Sequence, residues 1–133
     1  MNLFIVEDSE VVRERLQSML SDIPGVAVVG YAMDELDAIG RINKFLPDVV
    51  TLDLRLQTGS GFNVLKDIKK HHPEIKVIVL TNDDNRVYED SCIRAGADCY
   101  FDKSFQLSRV YSALWLWSNP AGSENKAASF PAR

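Results

Sequence analysis

Residues 3–9, Leu3-Phe4-Ile5-Val6-Glu7-Asp8-Ser9, run four apolar side chains straight into two acids and a serine. An apolar run this short and uninterrupted, β-branched and aromatic in part, reads as a strand buried on both faces of a parallel sheet. The acids then fall at its carboxyl end, and Ser9 is available to cap a helix. A helical pattern follows at once, with Val11, Val12, Leu16, Met19 and Leu20 at the right spacing, and Pro24-Gly25 ends it.

The same unit recurs along the chain. Val26 to Ala32 predicts a second strand, and Asp34 to Phe45 a helix whose apolar positions are Leu36, Ile39, Ile42 and Phe45. Pro47 closes that helix, and Asp48 to Leu54 predicts the third strand. The turn Gly59-Ser60-Gly61 leads into a helix through Phe62, Val64, Leu65 and Ile68, stopped by Pro73. Lys76 to Thr81 reads as strand four, Arg86 to Ala95 as helix four with Gly96 as its stop, Cys99 to Asp102 as strand five, and Phe105 to Ser118 as helix five. Five strands alternating with five helices predict an α/β domain, an open, mostly parallel sheet covered on both faces and joined by right-handed crossovers. Residues 1–118 form this domain. Residues 119–133 lose the periodicity and read as a flexible tail.

Composition narrows the function. The 133 residues suffice for one domain, and 46% hydrophobic with 26% charged residues suits a buried core. A formal net charge of −4 gives no attraction to polyanions, so direct nucleic-acid binding is not expected. No apolar run reaches the roughly 20 residues that span a bilayer, and the N-terminus lacks a basic region, so neither membrane insertion nor secretion is expected. Cys92 and Cys99 show neither metal nor redox spacing, which fits a reducing cytoplasm.

Ligands of open parallel sheets collect at the carboxyl ends of the strands. Here those ends carry Glu7-Asp8, Asp53, Thr81-Asn82-Asp83 and Asp102-Lys103. An acid at one strand end is ordinarily a solvated loop residue or a cap. The set is informative because carboxylates gathered on one rim repel, and a hard divalent cation such as Mg²⁺ relieves them. The first turn, Glu7-Asp8-Ser9-Glu10, is too bulky and anionic to cradle a pyrophosphate, and no GxxxxGK[ST] loop is present.

The segments FIVEDSE (4–10), PDVVTLDLRLQTGSGFNVL (47–65), VIVLTN (77–82) and AGADCYFDKS (95–104) together resemble the receiver domain of two-component response regulators. The resemblance runs from about residue 2 to 118. It implies a flavodoxin-like (CheY-like) three-layer fold with strand order 2-1-3-4-5. It further implies that Asp53 accepts a phosphoryl group from a sensor histidine kinase or phosphotransfer protein. Glu7, Asp8, Asp53 and the backbone carbonyl of Arg55 would hold Mg²⁺. Thr81 and Lys103 would bind the new phosphoryl group, Tyr100 would swing inward as Thr81 moves, and the Lys103–Ser104 bond would be cis. The surface of helix four, strand five and helix five would then change shape for an unknown downstream protein. Such a chain is a signalling switch rather than an enzyme, although it would assist its own phosphorylation and dephosphorylation. Glu7 stands where the family more often has Asp, Gln57 where it has proline, and Asn82 where it has a smaller residue.

Other readings stay open at this level. A module that binds without phosphorylation would keep the fold and ignore Asp53, and a small-molecule enzyme would need acid–base residues beyond this set. Trp115 and Trp117 near the end of helix five suggest contact with a partner or a second copy, while Leu107, Val110, Tyr111 and Leu114 suggest its core face. Arg55 and Asp83 are placed to pair across the pocket mouth. His71 and His72 read as solvated residues at a helix end.

Overall fold

The strand at residues 2–6 buries every side chain but that of Asn2, as a strand with helices on both sides must. The computed structural model describes residues 1–82, 86–103 and 106–119. Expectations that rest on Asp83, Ser104, Phe105 and residues 120–133 lie outside it: the Arg55–Asp83 pair, the cis bond at Ser104 and nearly all of the tail. The elements are β1 (Asn2–Val6), α1 (Glu10–Ser21), β2 (Ala27–Ala32), α2 (Glu35–Phe45), β3 (Val49–Asp53), α3 (Gly61–His71), β4 (Lys76–Thr81), α4 (Arg86–Arg94), β5 (Cys99–Asp102) and α5 (Leu107–Ser118). Among the described residues no helix is long and apolar enough to cross a membrane.

All five strands are parallel, in the order β2-β1-β3-β4-β5. Alternation along each strand sends successive side chains into opposite layers. Phe4, Val6, Val50, Leu52, Val77 and Val79 meet α2, α3 and α4 through Ala38, Ile42, Val64, Leu65, Ile68 and Cys92. Leu3, Ile5, Val49, Ile78, Leu80 and Phe101 meet α1 and α5 through Leu16, Leu20, Val110, Ala113 and Leu114. The central strand β3 is buried throughout, so the sheet delivers its carboxyl end, Asp53, to a fixed place on the rim.

Side-chain caps set where three helices begin. The Ser9 hydroxyl accepts from Val12 N, the Asp34 carboxylate from Asp37 N, and the Ser60 hydroxyl from Phe62 N and Asn63 N. Gly96, at φ +107°, closes α4, with Gly96 N donating to Ile93 O and Ala97 N to Cys92 O.

The helical stripes need correction. Val11 is 69% and Leu36 81% exposed, and Phe45 and Tyr111 also lie on the surface. Ala38 and Ala113, both fully buried, take core places instead. Trp117 sits on the core side after all: it is half-buried, packs on the α1–α5 layer, and has the Lys76 ammonium 5.1 Å from its ring centroid. Trp115 packs on the same layer. Of the residues assigned to the tail, Asn119 still belongs to the last turn of α5, its N–H donating to Trp115 O.

Candidate functional site

β1, β3, β4 and β5 end together, and their last residues meet. Glu7 is 1% exposed although charged, and its Oε1 lies 2.7 Å from the Lys103 ammonium. The same ammonium stands 2.9 Å from Asp53 Oδ2. Burying two carboxylates and one ammonium is tolerable only because each is paired. The backbone completes the set, with Ser9 N–H donating to Glu7 Oε2 at 3.2 Å and Arg55 N–H to Asp53 Oδ1 at 3.2 Å.

Asp8, half-buried, joins them. One carboxylate oxygen from each of Glu7, Asp8 and Asp53 lies within 4.8 Å of the other two. This all-oxygen donor set is the kind that hard divalent cations choose, and the three acids fit one. Glu7 carries the electrostatic consequence. Burial pushes its carboxyl up to about 6, and the Asp53 charge adds to that, against the opposing pull of Lys103. Burial pulls the Lys103 ammonium down, but its hydrogen bonds and charge pairing with Glu7 and Asp53 outweigh this and leave it raised.

Thr81, 1% exposed, forms the fourth wall, and its carbonyl accepts from the Lys103 backbone N–H at 2.9 Å. A cavity of about 500 Å³ opens between these groups, with Asn82 and Arg55 at its edge. Behind Thr81, on the α3–α4 side, lies a second cavity of about 380 Å³ lined by Leu54, Phe62, Tyr88 and Cys92. Thr81 and Arg55 line both, standing between a charged chamber and a mainly apolar one. Tyr100, two residues before Thr81's register partner Asp102 on β5, is buried in the layer that holds α2, α3 and α4.

Of the residues nominated from the sequence, Glu7, Asp8, Asp53, Arg55, Thr81, Asn82 and Lys103 line this one chamber; Asp102 does not line it, and Asp83 lies outside the described residues. His71 and His72 do not. They lie at the opposite end of α3, paired with Asp67 and with Asn43 and Glu74. Two neighbours escaped the sequence reading. Arg13 reaches back from α1 to the Glu7 carbonyl at 3.3 Å while stacking over Tyr31. Glu35, at the start of α2, grips the loop after Asp53. Neither stands at a strand end, so the rule that found the others passes over both.

A family model described as the response regulator receiver domain matches residues 3–114. The chemotaxis protein CheY of Thermotoga maritima is 31% identical over 112 residues, covering 84% of this chain and 92% of its own. The response regulator GacA of Pseudomonas viridiflava is 29% identical over 114 residues, 86% of this chain and 53% of that protein. The chain thus spans about half the length of the curated relatives it matches first. Among solved structures, the isolated REC domain of RcsB from Salmonella enterica serovar Typhimurium, in the presence of the phosphomimetic BeF3⁻, superposes with a TM-score of 0.79 at 27% identity, over 86% of this chain and 85% of that one.

Proposed function

The chain belongs to the response regulator receiver family, and from that premise we propose that it is a cytoplasmic, Mg²⁺-dependent switch accepting a phosphoryl group on Asp53. The observation that carries this reading is the Lys103 ammonium held 2.7 Å from Glu7 and 2.9 Å from Asp53 at the meeting of three carboxylates. The switch occupies residues 1–118. Its donor is a sensor histidine kinase or phosphotransfer protein, and its output is the surface of α4, β5 and α5. Trp115 and Trp117, half-buried on α5, leave part of their rings for contact with a second copy, which sedimentation of Trp117→Ala tests. DNA binding, which the names of some relatives include, would need segments beyond this domain.

Asp53 attacks phosphorus, an Oδ–P bond forming as the donor's bond to phosphorus breaks. Phosphoryl transfer has a loose transition state with charge on three equatorial oxygens, so positioning and countercharge supply most of the rate. Mg²⁺ held by Glu7, Asp8, Asp53 and the Arg55 carbonyl would add Lewis-acid countercharge there. Arg55 N–H fixes the Asp53 carboxylate in place from one side. Lys103 exchanges Asp53 Oδ2 for a phosphoryl oxygen, and the Thr81 hydroxyl turns to donate to another. The same groups would assist hydrolysis. Thr81 then leaves space beside the apolar chamber, for Tyr100 to take up, and the loops after β4 and β5 follow.

Incubation of the whole chain with Mg²⁺ and acetyl phosphate, read by intact mass, tests the proposal. One phosphoryl group is expected on the wild type and none on Asp53→Asn. Equal gain by both proteins, or none by the wild type, refutes it, the second outcome favouring a module that binds independently of phosphate.

A further inference from the structure

We propose that Glu35 is a positioning residue for the phosphoacceptor loop, gripping residues 58–60 so that Arg55 stays on Asp53. The inference rests on the reading of Asp53 as the acceptor. Glu35 is the first residue of α2, and Asp34 caps the helix so that the Glu35 side chain faces the loop after β3. Its Oε1 accepts from Ser60 N at 2.8 Å and from Asn63 Nδ2 at 3.2 Å, and its own N–H donates to Thr58 O at 3.1 Å. Gly59 lies between these contacts at φ +88°, flat against the same side chain. A Cβ there would overlap Glu35 Cβ and stand 2.7 Å from its Oε1. Three consecutive loop residues are thus fitted to one residue 25 positions before Ser60, Thr58 to its backbone and Gly59 and Ser60 to its side chain.

The grip is transmitted to the acceptor in two steps. Ser60 pairs antiparallel with Arg55, and Gly61 N donates to Leu54 O at 3.0 Å, so the loop's two legs move as one. Arg55 in turn places its N–H on Asp53 Oδ1 and carries the carbonyl assigned to the metal. At the tip of the loop Gln57 is exposed and stands where a proline would fix the backbone. The loop's shape is imposed from outside, by a charge-assisted hydrogen bond of the stronger kind. Glu35 touches no reacting atom, and its effect on them runs through Ser60 and Arg55.

The test uses the whole chain, acetyl phosphate and varied Mg²⁺, with the initial phosphorylation rate read by intact mass and Ser60 amide hydrogen exchange read without metal. Glu35→Ala is expected to raise the Mg²⁺ needed for half-maximal rate by about tenfold, the scale on which small misplacements act. It should also deprotect the Ser60 amide. Glu35→Gln keeps an acceptor oxygen and should restore both readings to within about threefold of wild type. Gly59→Ala pushes the loop off an intact carboxylate and should reproduce the Glu35→Ala shift, even where Glu35→Ala itself folds poorly. Wild-type Mg²⁺ requirement and Ser60 protection in Glu35→Ala and Gly59→Ala overturn the inference while leaving Asp53 as the acceptor. A wild type that takes up no phosphate overturns the functional reading first, and this inference with it.

Discussion

Gly61 is the position where one methyl group should do most damage to the acceptor loop. It begins α3, directly beyond Ser60, and is buried against the end of β3. A Cβ there would overlap the Asp53 carbonyl oxygen and lie 2.7 Å from Leu54 Cα and 2.9 Å from the Asp53 carbonyl carbon. Carbon atoms in contact rest about 3.5–4.0 Å apart, so the two legs of the loop must part by about 1 Å. None of these atoms belongs to a flexible side chain that yields cheaply. Overpacking of this kind costs about 1–3 kcal/mol. Separation also breaks the Gly61 N to Leu54 O bond and the Arg55–Ser60 bridge, each worth about 1 kcal/mol. Gly61→Ala should therefore lose about 3–5 kcal/mol in urea unfolding, a large share of the 5–15 kcal/mol typical of a domain. Phosphorylation of the fraction still folded should fall further, since Arg55 is drawn off Asp53. A variant within about 0.5 kcal/mol of wild type, phosphorylated at the wild-type rate, would refute the tight closure of this loop.

Two other substitutions probe the strands. The Thr51 hydroxyl is buried between Ile5 and Ile78 in register and has no hydrogen-bond partner among the described residues, so Thr51→Val should raise stability by about 1–2 kcal/mol in urea unfolding, and a loss would show the hydroxyl to be satisfied. Burial pushes the Glu7 carboxyl from its ordinary 4.5 up to about 6 in the folded chain. A group raised on folding contributes stability that is present below its unfolded value and lost as pH rises through its folded one. In chelator, the wild type should thus lose about 2 kcal/mol relative to Glu7→Gln between pH 4.5 and pH 7. A difference between the two proteins that stays flat over this window would contradict the burial of Glu7.

The rim was legible in the sequence because strand ends are. Abrupt changes from apolar to acidic at Val6–Glu7 and Leu52–Asp53 fix the carboxyl ends of β1 and β3 almost to the residue, and a parallel sheet brings such ends together whatever the helices do. The limits of β4 and β5 were read to the residue for the same reason. Helical stripes were read less well. Periodicity gives a face but not its width, and β2 is an edge strand, so Leu36 and Phe45 on its covering helix α2 face solvent. Ala38 and Ala113 were passed over because alanine carries little apolar signal, though both are fully buried. Glu35 was illegible for a different reason. Its role depends on the path of a loop 25 residues away, and no local pattern encodes that path.

The charges on the rim also explain why two of its groups must move together. Glu7, Asp8 and Asp53 bring three negative charges and Lys103 one positive, leaving two negative charges in a chamber whose walls are largely buried. Burial, with the Asp53 charge, pushes Glu7 up to about 6 in spite of Lys103, so holding it charged there is costly. A divalent cation would close that gap of two, and a phosphoryl group on Asp53 would reopen about half of it, since the acyl phosphate carries about two negative charges where the carboxylate carried one. The groups able to answer are the Lys103 ammonium and the Thr81 hydroxyl. They are not independent, because the Lys103 N–H is bonded to the Thr81 carbonyl across β4 and β5 at 2.9 Å. A pull on either residue toward the acceptor drags the other's backbone with it. On the proposed reading the new charge would thereby act on the ends of β4 and β5 as a unit, and that unit is where the sheet meets α4 and α5.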